Sequence, residues 1–360
     1  MLVSTNSPNT KKKDREICVI TDGTIGMRHQ ALAIGEALAT DKRLETCNVR
    51  EIIFIPPMLI RYFPRILSII PIKLVELIIS LSNYASSNII GKSQNADIII
   101  TCGRRMAGVS IALRRITGAH GQPTKSIHIQ DPRLPLDLFD VVVAPIHDKI
   151  RGPNVVTSIG SISGLNEEKI QTEGKKLAPK WTKIKRPLYA VLLGGDNRRY
   201  KISQRMVDLM AKRLSDFATT NDVSLALIPS RRTPSGVLKS LTLKLQKTNY
   251  VTFKDGDKNP YPGILRYTDG VIVTSDSVNM ASEAAISGQP ILIAEWRRET
   301  GRIAAFHSAM MKAGHSANLT ETIPKRKFQR LFELPEITNK IFHNLGKKTE
   351  LKNKRQKVVQ

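Results

Sequence analysis

The sequence predicts an α/β protein of two Rossmann-like parallel-sheet domains facing across a cleft. Three observations carry that expectation. Short β-rich apolar runs are followed by polar or glycine-bearing turns, then by apolar residues at helical spacing, and the order repeats along the chain. Strands alternating with helices call for a parallel sheet with crossover connections. The series breaks once, at residues 166–187, in a polar, lysine-rich stretch carrying Pro179 and Pro187. At 360 residues the chain suits two domains of ordinary size. The expected division is a disordered lead over 1–16, an acceptor-side domain over 17–165, a linker over 166–187, a nucleotide-binding domain over 188–323, and a C-terminal helix with a basic tail over 324–360.

In the first half, residues 17–21 read as a buried strand leading into Asp22-Gly23-Thr24-Ile25-Gly26 and a helix over 30–38. Gly23 and Gly26 make a glycine turn, but His29 stands at the third position, so no GxGxxG fingerprint forms. His29 reads equally as ligand-facing or as a surface histidine. Residues 52–81 mix Ile, Leu, Phe and four prolines with Arg61, Arg65 and Lys73. The prolines and charges exclude a span of about 20 apolar residues. Short amphipathic helices on a membrane surface, or an insertion packed on the core, remain as readings. Strands follow at 96–102, before Gly103-Arg104-Arg105; at 125–130, before Asp131-Pro132-Arg133; at 140–144, before His147; and at 155–160.

The second half repeats the plan. Strand 188–193 meets Gly194-Gly195-Asp196, and strand 224–228 meets Ser230-Arg231-Arg232-Thr233. Strand 250–253 precedes Asp255-Gly256-Asp257, which reads as a turn rather than a metal site. Strand 270–274 then meets Ser275-Asp276-Ser277, three helix-capping residues ahead of a helix over 278–286 that Gly288 stops. Strand, polar turn and helix N-terminus together suit an anion, because unpaired backbone N–H groups and the helix dipole point toward it. An ordinary βα unit with a solvated Glu283 has the same pattern.

Composition narrows the partners. A net charge of +25 argues for an anionic one: acidic lipid, nucleic acid or a phosphorylated substrate. Nucleic acid is not expected, since no aromatics interleave with the basic residues and no reading motif is present. Cys18, Cys47 and Cys102 form neither a disulfide framework nor a zinc site, and a reducing compartment fits. The N-terminal residues lack the apolar core of a secretory signal. No metal site is expected.

Ligands of open α/β sheets sit at the C-terminal ends of strands. The second-half candidates are therefore Gly194, Gly195, Asp196, Ser230, Arg231, Arg232, Ser275, Asp276, Ser277 and Glu283. Arg231 and Arg232 have the chemistry to clamp a diphosphate. The first half offers Gly23 and Gly26 to a substrate and Asp22 and Asp131 as carboxylates for general-base work, with Asp131 beside Arg133.

Several stretches in order, among them ICVITDGTIGMRHQALAIGEAL, ITCGRRMAGVSIALRR, LLGGDNRRY, PSRRTP and NPYPGILRYTDGVIVTSDSVNMASEAAISGQP, resemble the elongated-mitochondria, or mitochondrial fission, family over about residues 17–314. Bacterial members are also labelled predicted nucleoside-diphosphate-sugar epimerases. The family resembles GT-B glycosyltransferases in architecture. Ser282-Glu283-Ala284 followed by Gly288-x-Pro290 is similar to a helix of the peptidoglycan lipid-II-forming glycosyltransferase, where the matching Glu binds the ribose of the sugar nucleotide. The resemblance implies a glycosyltransferase that needs no cofactor, takes a nucleotide-sugar donor, and acts on a lipid or envelope acceptor from the cytoplasmic, inner face of a membrane. A non-catalytic fission-type protein is the alternative. A short-chain epimerase would need Tyr-x-x-x-Lys on a helix, and the only such spacing, Tyr250 to Lys254, lies on a β-rich run.

Overall fold

The computed structural model describes residues 15–44, 46–81, 88–177, 183–252 and 260–357. The expected Asp255-Gly256-Asp257 turn, Lys254 and most of the expected lead lie outside the described residues. The chain divides into two compact units, one of residues 1–143, 152–155 and 338–360, the other of residues 144–151 and 156–337.

One six-stranded sheet has the order β2-β1-β3-β4-β5-β6, with β1 to β4 wholly in the first unit. Its strands are β1 (Arg15–Thr21), β2 (Cys47–Ile53), β3 (Ile98–Cys102), β4 (Lys125–Ile129), β5 (Val141–Pro145) and β6 (Val155–Ser158). The pairs of β1 with β2 and β3, of β3 with β4 and of β4 with β5 are all parallel. Strand β2 was not expected. It is an edge strand whose polar residues alternate with half-buried ones, so it lacks the continuous apolar run of its neighbours. Helix α1 (Ile25–Ala39) begins five residues before the apolar periodicity does, which puts Gly26 inside the helix.

Segment 52–81 folds into α2 (Met58–Tyr62), a 3₁₀ turn (Pro64–Ser68) and α3 (Ile72–Leu81). The next helices are α4 (Ile89–Ser93) and α5 (Arg104–Ala119). Ile60, Leu67, Val75 and Ile79 are fully buried and join Val109, Leu113 and Ile116 of α5 in one core. Arg115 of α5 donates to the carbonyls of Leu67 and Ile70, which fixes the turn. The inner face is thus a packed insertion; the outer face stays exposed. Among the described residues no helix is long and apolar enough to cross a membrane.

In the second unit the sheet order is β12-β11-β10-β7-β8-β9. The strands are β7 (Leu188–Leu193), β8 (Ser224–Pro229), β9 (Tyr250–Thr252), β10 (Gly270–Thr274), β11 (Ile291–Ala294) and β12 (Ala317–Asn318), all paired in parallel. Helices α7 (Gln204–Asn221) and α8 (Ser235–Lys244) follow β7 and β8, α9 (Val278–Ala285) follows β10, and α10 (Gly301–Lys312) follows β11. Strand order reverses between β7 and β10, the point outside whose C-terminal strand ends open α/β sheets carry their ligand crevice.

The boundary between the units falls upstream of the stretch expected to be a linker. Residues 167–175 form a further helix of the second unit, α6 (Glu167–Lys175), capped by the Asn166 side chain. It seats closely on the Gly263–Arg266 turn: a Cβ at Gly263 would meet the Glu173 backbone at 2.6 Å, and the Tyr267 hydroxyl donates to the Gly174 carbonyl at 2.9 Å. The C-terminal helix expected within 324–360 is α11 (Leu334–Lys357). Its residues from 338 belong to the first unit, where Arg43 lies 4.0 Å over the Phe342 ring and donates to Asn339.

Candidate functional site

The crevice of the second sheet is built from four strand ends. After β7 come Gly194, Gly195 and Asp196; after β8, Ser230 to Thr233; after β10, Ser275 to Ser277; after β11, residues 295–300. One buried carboxylate ties the first three together. Asp276 accepts from the Gly195 N–H at 3.1 Å, from the Thr274 hydroxyl at 2.8 Å and from the Arg232 guanidinium at 2.9 Å. Its side chain is wholly buried, so its oxygens face protein. The glycines serve this closure. A Cβ on Gly194 would meet Asp276 Oδ1 at 2.1 Å, and one on Gly195 would meet the Arg232 carbonyl oxygen at 1.8 Å. What approaches these glycines is the neighbouring loop, where the sequence reading had a ligand.

The two adjacent arginines therefore part ways. Arg232 is held on Asp276, while Arg231 is exposed and makes no hydrogen bond or ion pair among the described residues. Ser230 and Thr233 close their own turn, with the Ser230 N–H donating to Thr233 Oγ1 at 2.9 Å. Asp196 accepts from the Ile202 N–H at 2.9 Å and so shapes the loop after β7.

A second buried carboxylate, Glu299, was missed by sequence reasoning. It accepts from Ser275 Oγ at 2.9 Å and Tyr200 Oη at 3.2 Å, and pairs with Arg199. Burial and the nearby carboxylates push the Tyr200 phenol up, so it stays a donor. The available signal was position: Glu299 lies just past β11, a strand end like the other three. Arg297 stacks 4.5 Å over the Tyr200 ring. Each buried acid thus takes one arginine, and Arg198, Arg231, Arg297 and Arg298 remain as exposed positive charge on the same loops.

Ser277 caps α9, its hydroxyl accepting from the Met280 N–H at 3.4 Å. Glu283 lies on this helix as expected and is half-buried. Its Oε2 accepts from the Tyr261 hydroxyl at 2.8 Å, and no described residue donates to Oε1. Burial pushes the Glu283 carboxyl up, and the Tyr261 hydrogen bond pulls it part of the way back. Tyr261 was another omission, although NPYPGILRY is among the resembling stretches.

His147, expected at a strand end of the first half, is in the second unit. It packs edge-on to Phe306 of α10, and Arg302 pairs with the adjacent Asp148 at 3.2 Å. His307 binds the Ser275 carbonyl through Nε2 at 2.8 Å. Burial lowers both imidazoles, so both are neutral at pH 7.

In the first unit, Asp22 ends β1, accepting from the Thr24 N–H at 3.0 Å and facing Arg105 at 3.4 Å. Gly23 holds φ +79°, which a side chain would strain. Asp131 follows β4, and both its oxygens are engaged by Arg133: the backbone N–H reaches Oδ1 at 2.9 Å and Nε reaches Oδ2 at 2.7 Å. That pairing holds Arg133 at φ +57°. His29 is exposed on α1. Among the described residues no three His, Cys, Asp or Glu side chains cluster as metal ligands would.

Two parallel six-stranded units of this kind are the architecture of GT-B proteins. MurG of Acinetobacter baumannii aligns with a TM-score of 0.51 and 14% identity, covering 92% of this chain and 90% of that one. The UDP-GlcNAc 2-epimerase of Methanocaldococcus jannaschii aligns with a TM-score of 0.53 and 12% identity, covering 92% and 99%. The chain belongs to the Mitochondrial fission ELM1 family, which it matches over residues 25–345. An uncharacterized protein of Rickettsia prowazekii (strain Madrid E) is 27% identical over 312 residues, 77% of this chain and 82% of that relative. The mitochondrial fission protein ELM1 of Arabidopsis thaliana is 26% identical over 248 residues, 60% of this chain and 56% of that protein.

Proposed function

We propose that the protein is a glycosyltransferase. It binds a nucleotide-sugar donor in the crevice of the second sheet and passes the sugar to a lipid or envelope acceptor from the inner face of a membrane, which it touches peripherally. One observation carries the reading: four arginines remain exposed at the strand ends after the buried acids are neutralised, beside a helix whose Glu283 keeps one oxygen open. A diphosphate matches the surplus charge, and a ribose hydroxyl matches an open carboxylate oxygen. Cationic side chains and the α9 N-terminus would offset the leaving-group charge. Asp131, paired with Arg133, and Asp22, facing Arg105, are the candidate carboxylates on the acceptor side. The fold likeness to a UDP-GlcNAc 2-epimerase makes UDP-GlcNAc the first probe.

Calorimetry with UDP-sugars tests the donor site. Glu283→Ala and Arg231→Ala are each expected to weaken binding by about 1.5–3 kcal/mol, the value of a hydrogen bond to a charged group, with the melting temperature of Arg231→Ala unchanged. Unaltered affinity in both variants removes the site. Donor binding without transfer to any lipid acceptor would leave the non-catalytic, fission-type reading.

A further inference from the structure

The outer face of segment 52–81 is not used by the donor site. Arg61, Arg65 and Arg104 line one open groove of about 570 Å³, which Pro132 and Arg133 also line. Arg65 and Arg104 have no partner among the described residues, and Arg61 spends only its Nε, on the Pro56 carbonyl. Arg133 is neutralised by Asp131, and no acidic residue lines the groove. Three positive charges therefore converge where the fold supplies no counter-charge.

The rim is apolar. Tyr62 is 69% exposed, Phe63 64% and Ile69 76%. Along α3 the exposed apolar residues are Leu74, Leu77 and Leu81, at i, i+3 and i+7, which is a single stripe, with Lys73 and Ser80 exposed as well. A large exposed apolar patch is rarely kept without a partner. Apolar residues beside unpaired arginines, on short helices whose other face is packed into a core, are the arrangement by which proteins lie in a membrane interface. The charge complement of the groove is phosphate, and a chain of net charge +25 is drawn to an anionic surface.

We propose that this face docks on a bilayer of anionic phospholipid, with head-group phosphates in the arginine groove and the stripe of α3 at the acyl boundary. The proposal rests on the reading of a protein that works at a membrane, and it uses no residue of the donor site.

Co-sedimentation with vesicles tests it, comparing phosphatidylcholine alone with phosphatidylcholine containing phosphatidylglycerol. The wild type is expected to sediment only with the anionic vesicles. Each basic residue near such a surface contributes about 1 kcal/mol, or roughly fivefold. Arg65→Gln/Arg104→Gln should therefore lose about 25-fold together. Leu77→Ser should lose about tenfold through its lost apolar contact. Lys239→Gln, on α8, removes one such charge elsewhere and should change nothing. A roughly fivefold loss in Lys239→Gln, equal to the loss per groove arginine, would mean net charge alone drives binding and would overturn the groove. Equal sedimentation with neutral vesicles would overturn the phosphate assignment. Calorimetric binding of inorganic diphosphate that depends on Arg65 and Arg104, without vesicle binding, would make this a soluble-anion site. Failure to sediment with either vesicle, with no diphosphate heat, would leave a protein partner and overturn the lipid. Parallel titration with UDP-GlcNAc keeps the two readings apart. A wild type that ignores UDP-GlcNAc but binds anionic vesicles sinks only the donor site.

Discussion

Tyr261→Phe removes one oxygen and leaves the rest of the second unit in place. In the protein that oxygen donates to Glu283 at 2.8 Å. Burial holds the Glu283 carboxyl above 4.5, and the Tyr261 hydrogen bond acts the other way, so the variant's carboxyl should rise further. The sign follows from linkage. A carboxyl raised on folding contributes stability that is complete below the unfolded value, and the contribution is lost as pH rises through the folded one. Once the acid has ionised the lost bond is to a charged group, worth about 1.5–3 kcal/mol; at pH 4, below the raised value, a neutral bond of about 0.5–1.5 kcal/mol is lost. The deficit should thus grow by about 1 kcal/mol between pH 4 and pH 7. A unit of this size shifts its melting temperature by roughly 2–4 °C per kcal/mol. Melting followed by circular dichroism at both pH values measures the difference, and Tyr261→Phe/Glu283→Gln should lose the pH dependence. Equal deficits at pH 4 and pH 7 would refute the pairing as the cause.

Burial lowers the His128 imidazole from 6.5 to about 3, so it stays neutral in the folded protein while the unfolded chain takes up a proton. The first unit should therefore lose stability as pH falls from 6.5 toward 3, by up to about 5 kcal/mol; urea unfolding at pH 7 and pH 5 reads this, and a flat profile contradicts it. Gly195→Ala places a methyl 1.8 Å from the Arg232 carbonyl oxygen, so it should lower the melting temperature and UDP-sugar affinity together, and a wild-type melting temperature would show that the loops yield. Asp131→Asn should cut turnover by about 10²–10⁴ if Asp131 is the base, with donor affinity kept. A fall in melting temperature alone would assign Asp131 to the turn that holds Arg133.

The sheets were legible because buried parallel strands are continuous apolar runs, as Leu188–Leu193 and Gly270–Thr274 are. Edge strand β2 was not, since Arg50 and Glu51 interrupt its pattern. Helix α6 was misread as linker through its lysines, although Asn166 with Glu167 and Glu168 is a helix start. At the site, residue identity located the strand ends. Which arginine meets which acid depends on loop geometry across a sheet: Arg232 and Asp276 are 44 positions apart, Arg199 and Glu299 100.

That pairing changes which residues speak to function. Asp276, Arg232, Gly194 and Gly195 lock one loop cluster, and Glu299, Arg199, Tyr200 and Ser275 lock another. A protein that had lost its chemistry but kept its fold would still need them, because the buried carboxylates of Asp276 and Glu299 would otherwise be left without a counter-charge. Their presence therefore supports the fold and is silent about the ligand. Arg231, Arg198 and Arg298 are different: they are exposed and unpaired among the described residues, and the fold assigns them no work. Glu283 belongs to both groups, with one oxygen on Tyr261 and the other open. The case for a nucleotide-sugar rests on that second group, and a fission-type protein without chemistry would be free to lose its arginines while keeping every member of the first.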